Sequence, residues 1–133
     1  MIIGHCECGQ VSYEIDSEIN DFSHCHCSQC RRLHGAPYVT FAGVARDGFR
    51  FVSGESGVKV YASSEKNDRY FCGECGSQIY VDAKEEPEVL YVCMGTVDGN
   101  PPRPPGYHAY ASSKAEWYEI GDDLPQYDRD SAQ

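Results

Sequence analysis

A mainly β domain of short antiparallel strands is the fold class this sequence predicts, and three observations carry the prediction. Apolar residues recur with period two, turn residues interrupt the chain every few positions, and helix signals are sparse. Val11, Tyr13 and Ile15 alternate with polar neighbours, as a strand with one buried face does. The runs 38–41 and 49–52 follow, rich in Val, Phe and Tyr. Val58, Val60 and Ala62 alternate again, 69–71 and 78–81 are two further runs, and Val89, Tyr91 and Cys93 close the series. Asp47-Gly48, Ser53-Gly54, Ser56-Gly57, Asn67-Asp68 and Asp98-Gly99 supply turns between them. Residues 28–33 suit one or two helical turns, capped by Ser28 and stopped by Gly35. Residues 112–117 suit another turn, with Trp117 and Tyr118 read as core aromatics. Glu85-Glu86-Pro87-Glu88 reads as a solvated loop. The prolines of 100–106 donate no ladder bonds, so that stretch reads as a stiff extended crossing.

The chain has 133 residues, enough for one core and too few for two. Residues 1–121 read as the single domain, and 122–133 as a polar, acidic tail that frays. A hydrophobic share of 41% with 12% aromatics excludes disorder for the bulk of the chain. No apolar run approaches the roughly 18 residues of a membrane helix. The start, Met1-Ile2-Ile3-Gly4-His5-Cys6, shows neither a basic nor an apolar leader region, so a cytoplasmic location is expected. The formal net charge is −10, from 21 acids against 11 bases. Such a charge repels phosphate backbones and anionic lipid, which sets nucleic acid and membranes aside as partners.

Eight cysteines are the sharpest signal. They fall in close clusters, Cys6-Glu7-Cys8, Cys25-His26-Cys27-Ser28-Gln29-Cys30 and Cys72-Gly73-Glu74-Cys75, with Cys93 alone. Clusters at this spacing read as metal ligands rather than a disulfide framework. Residues two apart on a strand point the same way, so C-x-C grips one ion from an extended segment, and C-x-x-C does so from a tight turn. Two such pairs make a closed four-sulfur site. Cys25, Cys27 and Cys30 offer three sulfurs, which leaves a tetrahedral position for water or substrate. Spacing alone leaves open which cluster joins which. His24 and His26 alternate with Cys25 and Cys27 and, if that stretch is extended, face away from the metal. Cys93 shares a face with Val89 and Tyr91 and reads as a small buried hydrophobe.

Several ordered motifs resemble the glutathione-dependent formaldehyde-activating enzyme family, the GFA or CENP-V/GFA domain. Gly4-His5-Cys6-Glu7-Cys8-Gly9 resembles its G-x-C-x-C-G opening. His24-Cys25-His26-Cys27-Ser28-Gln29-Cys30-Arg31-Arg32 resembles its C-H-C-x-x-C-R-R segment, and Arg69-Tyr70-Phe71-Cys72-Gly73-Glu74-Cys75-Gly76-Ser77 its R-x-F-C-x-x-C-G-S. The resemblance implies an Mss4-like zinc-binding fold with two zinc ions. It implies that Cys6, Cys8, Cys72 and Cys75 hold a structural zinc and that Cys25, Cys27 and Cys30 hold a catalytic one. The activity implied is a carbon–sulfur lyase or synthase joining glutathione to formaldehyde as S-hydroxymethylglutathione. Arg31, Arg32 and Arg69, with Lys66, are candidates to meet glutathione's two carboxylates. Other readings are a zinc enzyme for a different thiol adduct, and a zinc-stabilised binding module without catalysis.

Overall fold

The structure, a computed structural model, describes residues 1–129. Two sheets form from the predicted short strands. The smaller joins β1 (Ile2–His5), β2 (Ser12–Ile15) and β5 (Phe49–Ser53), with β2 in the middle and both neighbours antiparallel to it. The larger uses β3 (Asp21–Cys25), β4 (Val39–Ala45), β6 (Val58–Ala62), β7 (Asn67–Cys72), β8 (Gln78–Ala83), β9 (Val89–Cys93) and β10 (Tyr107–Ala109). Its order is β10-β3-β4-β9-β8-β7-β6. One helix, α1 (Ser28–His34), links β3 to β4.

The main core gathers residues of both sheets. Val11, Tyr13 and Ile15 meet Ala42 and Val44 of β4, Leu90 and Val92 of β9, and Ile79 and Tyr80 of β8. Burying side chains of this size contributes about 1.5–3 kcal/mol each, and that term holds the sheets together. Because side chains alternate along strands, the large sheet's other face carries odd-numbered residues, with Ile79 at the register shift between β7 and β8 the exception. Val39, Phe41, Val81 and Cys93 pack there with Cys25 and Cys30. Cys93 is buried as expected, and burial pushes its thiol up to about 12, so it stays neutral.

The structure departs from the sequence reading in several places; Asn67-Asp68, read as a turn, begins β7. β10 runs parallel to β3, the one parallel pair among the described strands. The extended proline segment before it carries the chain to the far edge of the sheet in the same direction as β3, so the antiparallel rule fails there. Cys27, not Ser28, caps α1: its sulfur accepts from the backbone N–H of Cys30 at 3.2 Å, while Ser28 is already helical. Gly35 ends the helix as expected, in the left-handed conformation. Trp117 is 72% exposed and no core residue; Tyr118 is half-buried against Tyr38. Val60 and Tyr61 are both exposed on the edge strand β6, so alternation there marks no buried face. Finally, 122–129 does not fray. His108 donates its N–H to the Pro125 carbonyl, Tyr127 returns one to His108, and Tyr110 donates to Arg129. The expectation for 130–133 lies outside the described residues.

Candidate metal centres

Seven of the eight cysteines gather into two groups, Cys6 with Cys8, Cys72 and Cys75, and Cys25 with Cys27 and Cys30. Within each group the sulfurs lie within 4.8 Å of one another. All eight cysteines are free. The sulfurs of Cys6 and Cys8 are 3.6 Å apart, and those of Cys8 and Cys72 are 3.8 Å apart. A disulfide needs about 2.05 Å. Four sulfurs each about 2.3 Å from a tetrahedral zinc sit about 3.8 Å apart. The spacing therefore fits one tetrahedral metal ion.

Two matching turns build the four-sulfur group. Cys6 and Cys8 follow β1, and Gly9 takes φ 79° directly after them. Cys72 ends β7, Cys75 follows in the turn, and Gly76 takes φ 81°. A side chain disfavours that conformation, so glycine ends each turn. N–H groups point at the sulfurs: Val11 donates to Cys6 Sγ at 3.3 Å. The Ser77 hydroxyl, 3.2 Å from Cys75 Sγ, is the main cause holding that thiol down at about 5. One turn belongs to the small sheet and the other to the large sheet, so the group joins the two.

The three-sulfur group comes from one continuous segment. Cys25 ends β3, Cys27 caps α1 and Cys30 lies in its first turn. The sulfurs sit at a cavity of about 590 Å³. Hydrogen bonds from the Cys25 and Cys30 thiols pull Cys27 far down, helped by the Cys30 N–H and the Arg69 charge. Cys25 is pushed up by the same contacts. Arg69, only 4% exposed, lies beside the trio. Its Nη1 and Nη2 each donate to Cys30 Sγ at 3.5 Å, Nη2 also to Gln29 Oε1 at 3.2 Å, and Nε to Ser63 Oγ at 3.1 Å.

The rest of the wall follows from sheet parity. Asp21, Ser23, Phe41, Asn67, Val81 and Tyr91 all reach it from odd positions on strands of the large sheet. One row of paired residues crosses it, Asp21 beside Gly43, Gly43 beside Tyr91, Tyr91 beside Val81 and Val81 beside Arg69. Tyr107 and Tyr110 complete one side, with Tyr110 at φ 54°, a left-handed backbone that costs a non-glycine residue energy. Asp21, Glu86, Tyr91, Tyr107 and Tyr110 carry no sequence motif, and only the strand register brings them together. Of the residues read as substrate contacts, Arg69 reaches the cavity, whereas Arg31, Arg32 and Lys66 are not among its lining. Arg31 donates to the His26 carbonyl and Arg32 is exposed.

His24, His26 and His108 lie on the opposite side of the sheet, whereas His34 packs against Phe41. His26 is fully buried and its Nε2 meets His108 Nδ1 at 2.8 Å. His108 Nε2 meets the Asp122 carboxylate at 3.0 Å, and His24 Nδ1 meets Thr40 Oγ1 at 2.8 Å. Burial brings His26 down to about 4, so it stays neutral. These rings brace the back of the cysteine segment and the docked residues 122–129.

The family model for glutathione-dependent formaldehyde-activating enzymes matches residues 1–113. The chain belongs to that family. A Halomonas elongata protein, named as a proposed glutathione-dependent formaldehyde-activating enzyme, is 28% identical over an alignment of 129 positions that covers 90% of this chain and 81% of that protein. A Schizosaccharomyces pombe protein named as an uncharacterized lyase is 32% identical over 77 residues, 58% of this chain and 54% of its own. A crystal structure of a Rhodobacter sphaeroides protein superposes with TM-score 0.62 at 26% identity, covering 75% of this chain and 91% of that one. Among the described residues, no helix is long and apolar enough to cross a membrane.

Proposed function

We propose that this protein is a zinc-dependent carbon–sulfur lyase and synthase acting on thiol–aldehyde adducts, with glutathione and formaldehyde giving S-hydroxymethylglutathione. The observation that carries the reading is the trio Cys25, Cys27 and Cys30 at a cavity, one ligand short of the closed group Cys6, Cys8, Cys72 and Cys75. Zinc held by the trio would supply an open fourth position and Lewis acidity for a thiol sulfur or an aldehyde oxygen. In the synthase direction the sulfur–carbon bond forms as the carbonyl π bond opens, and the thiol proton ends on the new hydroxyl; the lyase direction reverses this.

The chain's own residues prepare that step. Three thiolates around a divalent ion leave a formal charge of about −1, which opposes a fourth thiolate. Arg69 offsets it through two N–H groups on Cys30 Sγ, and Gln29 and Ser63 hold the guanidinium in that place. Phe41 and Val81 give the cavity an apolar floor that limits water around the sulfurs. A cytoplasmic setting, where thiols stay reduced, suits such a site.

The uncatalysed addition is fast, so the rate and not the yield is the test. Exchange NMR on formaldehyde and glutathione should show acceleration in proportion to zinc-loaded protein and none with Cys27→Ser. No acceleration by zinc-replete wild type would refute the reaction.

A further inference from the structure

The cavity above the cysteine trio is acidic away from the sulfurs. Among its described lining, Arg69 is the one cationic side chain, and its guanidinium is engaged by Cys30, Gln29 and Ser63. Arg31, Arg32 and Lys66 stand outside it, with Lys66 on Glu85 at 2.8 Å. The carboxylates of its described lining belong to Asp21 and Glu86. Tyr107 donates its hydroxyl to both oxygens of Asp21, at 2.9 and 3.1 Å, and Tyr91 donates to Glu86 at 2.8 Å. A second hollow of about 670 Å³ shares Asp21, Glu86 and Tyr91 with the first and adds Asp47 and Glu88, with no cationic residue in its described lining. Gly43 lies between Asp21 and Tyr91 on the same row; a Cβ there would come within 3.0 Å of Asp21 Cβ and 3.4 Å of the Tyr91 ring. The glycine therefore keeps the floor between the two hollows low.

We propose that this pocket selects its thiol through an ammonium group, with Asp21 and Glu86 as the specificity-determining residues. The proposal rests on Cys25, Cys27 and Cys30 being the thiol-binding site. An ammonium has three donors, and the wall offers it two carboxylates with their phenol oxygens beside them. A carboxylate at the same place meets two like charges and a protein of net charge −10. Glutathione qualifies through its single ammonium and is hindered by its two carboxylates. An aminothiol whose amine reaches toward Asp21, four residues along β3 from Cys25, suits the same wall better.

The test uses the full chain loaded with cobalt(II), whose sulfur charge-transfer absorption changes when a thiol enters the open site. Kd is measured for cysteamine, 2-mercaptoethanol, 3-mercaptopropionate and glutathione at low ionic strength. These thiols differ in acidity, so the readout is how the 3-mercaptopropionate-to-cysteamine Kd ratio changes between wild type and Asp21→Asn/Glu86→Gln. The ratio should fall roughly tenfold in the double variant, from the loss of two half-exposed charge pairs, and should fall with added salt in wild type alone. Glu86→Gln, on an exposed loop, should give part of the effect and carries the test if the double variant fails to fold. Thiols that bind with a ratio unchanged by the substitutions overturn the proposal and leave the thiol site standing. If no thiol alters the cobalt spectrum, the thiol-site reading falls and the proposal with it.

Discussion

The two cysteine groups use the same residue type at similar spacing and sit in different mechanical positions. Cys6 and Cys8 meet Cys72 and Cys75 across more than sixty residues of chain and across the join between the sheets. Cys25, Cys27 and Cys30 lie in one short segment on one sheet. Closing a long loop is an event of folding, so a metal in the first group adds its binding free energy to the stability of the domain. The second group is already shaped by β3, α1 and the Cys27 cap. It adds little to the join and leaves a ligand position toward a cavity. On the proposed reading, ligand count and sequence separation, and not residue identity, would divide structural from chemical duty.

Several experiments can break or sharpen that division. The largest effect is expected from Cys72→Ser. Structural zinc in small domains is worth about 10–16 kcal/mol, against a typical total stability of about 5–15 kcal/mol. Circular dichroism should show no cooperative melt for this variant. Cys27→Ser should melt near wild type and lose thiol–aldehyde exchange. Equal loss of structure from both substitutions would erase the distinction.

A chelator titration comes next. Metal analysis should find two zinc ions per chain, and the trio should release its metal first, because three protein ligands hold it where four hold the other. Simultaneous release would show the groups to be equivalent.

Arg69→Gln probes the trio alone. Removing a buried charge-assisted contact of this kind costs about 1.5–3 kcal/mol, so the trio should bind zinc roughly tenfold or more weakly while the four-sulfur group is unchanged. Arg69→Lys should recover part of the loss, since it restores the charge without the two-pronged geometry. Equal weakening of both groups would place Arg69 in the general fold instead.

The smallest effect is expected at Asp122→Asn, which leaves both sulfur groups intact and weakens the contact to His108 Nε2. Hydrogen exchange at the backbone amides of His108 and Tyr127 should speed up with little change in melting temperature. Unchanged exchange would show that the backbone bonds alone hold 122–129 in place.

Local pattern made much of this legible. Alternation marked β2, β6 and β9, short runs rich in Val, Phe and Tyr marked β4, β5, β7 and β8, and turn residues bounded most of them. Local pattern missed β1, β3 and β10. β3 carries Ser, His and Cys in place of a run of β-formers, because its two faces serve the cavity and the histidine cluster. β10 is three residues long and hides behind prolines. Trp117 misled because an aromatic residue signals burial only on average.

By itself the sequence determined the cysteine clusters that can grip metal, since ligand spacing and the glycines of tight turns are local chemistry, while the joining of Cys6 and Cys8 to Cys72 and Cys75 is tertiary. It also determined the β class, since period two is a local property of extended chain. The tertiary structure alone decided what surrounds the trio. Arg69 reaches both Cys30 Sγ and the cavity, and Asp21, Glu86 and Tyr91 line one wall, because strands far apart in the chain pair in a particular register. A shift of one residue in any of those pairings would turn the same side chains to the opposite face, and that register is set by the whole core and not by any one strand.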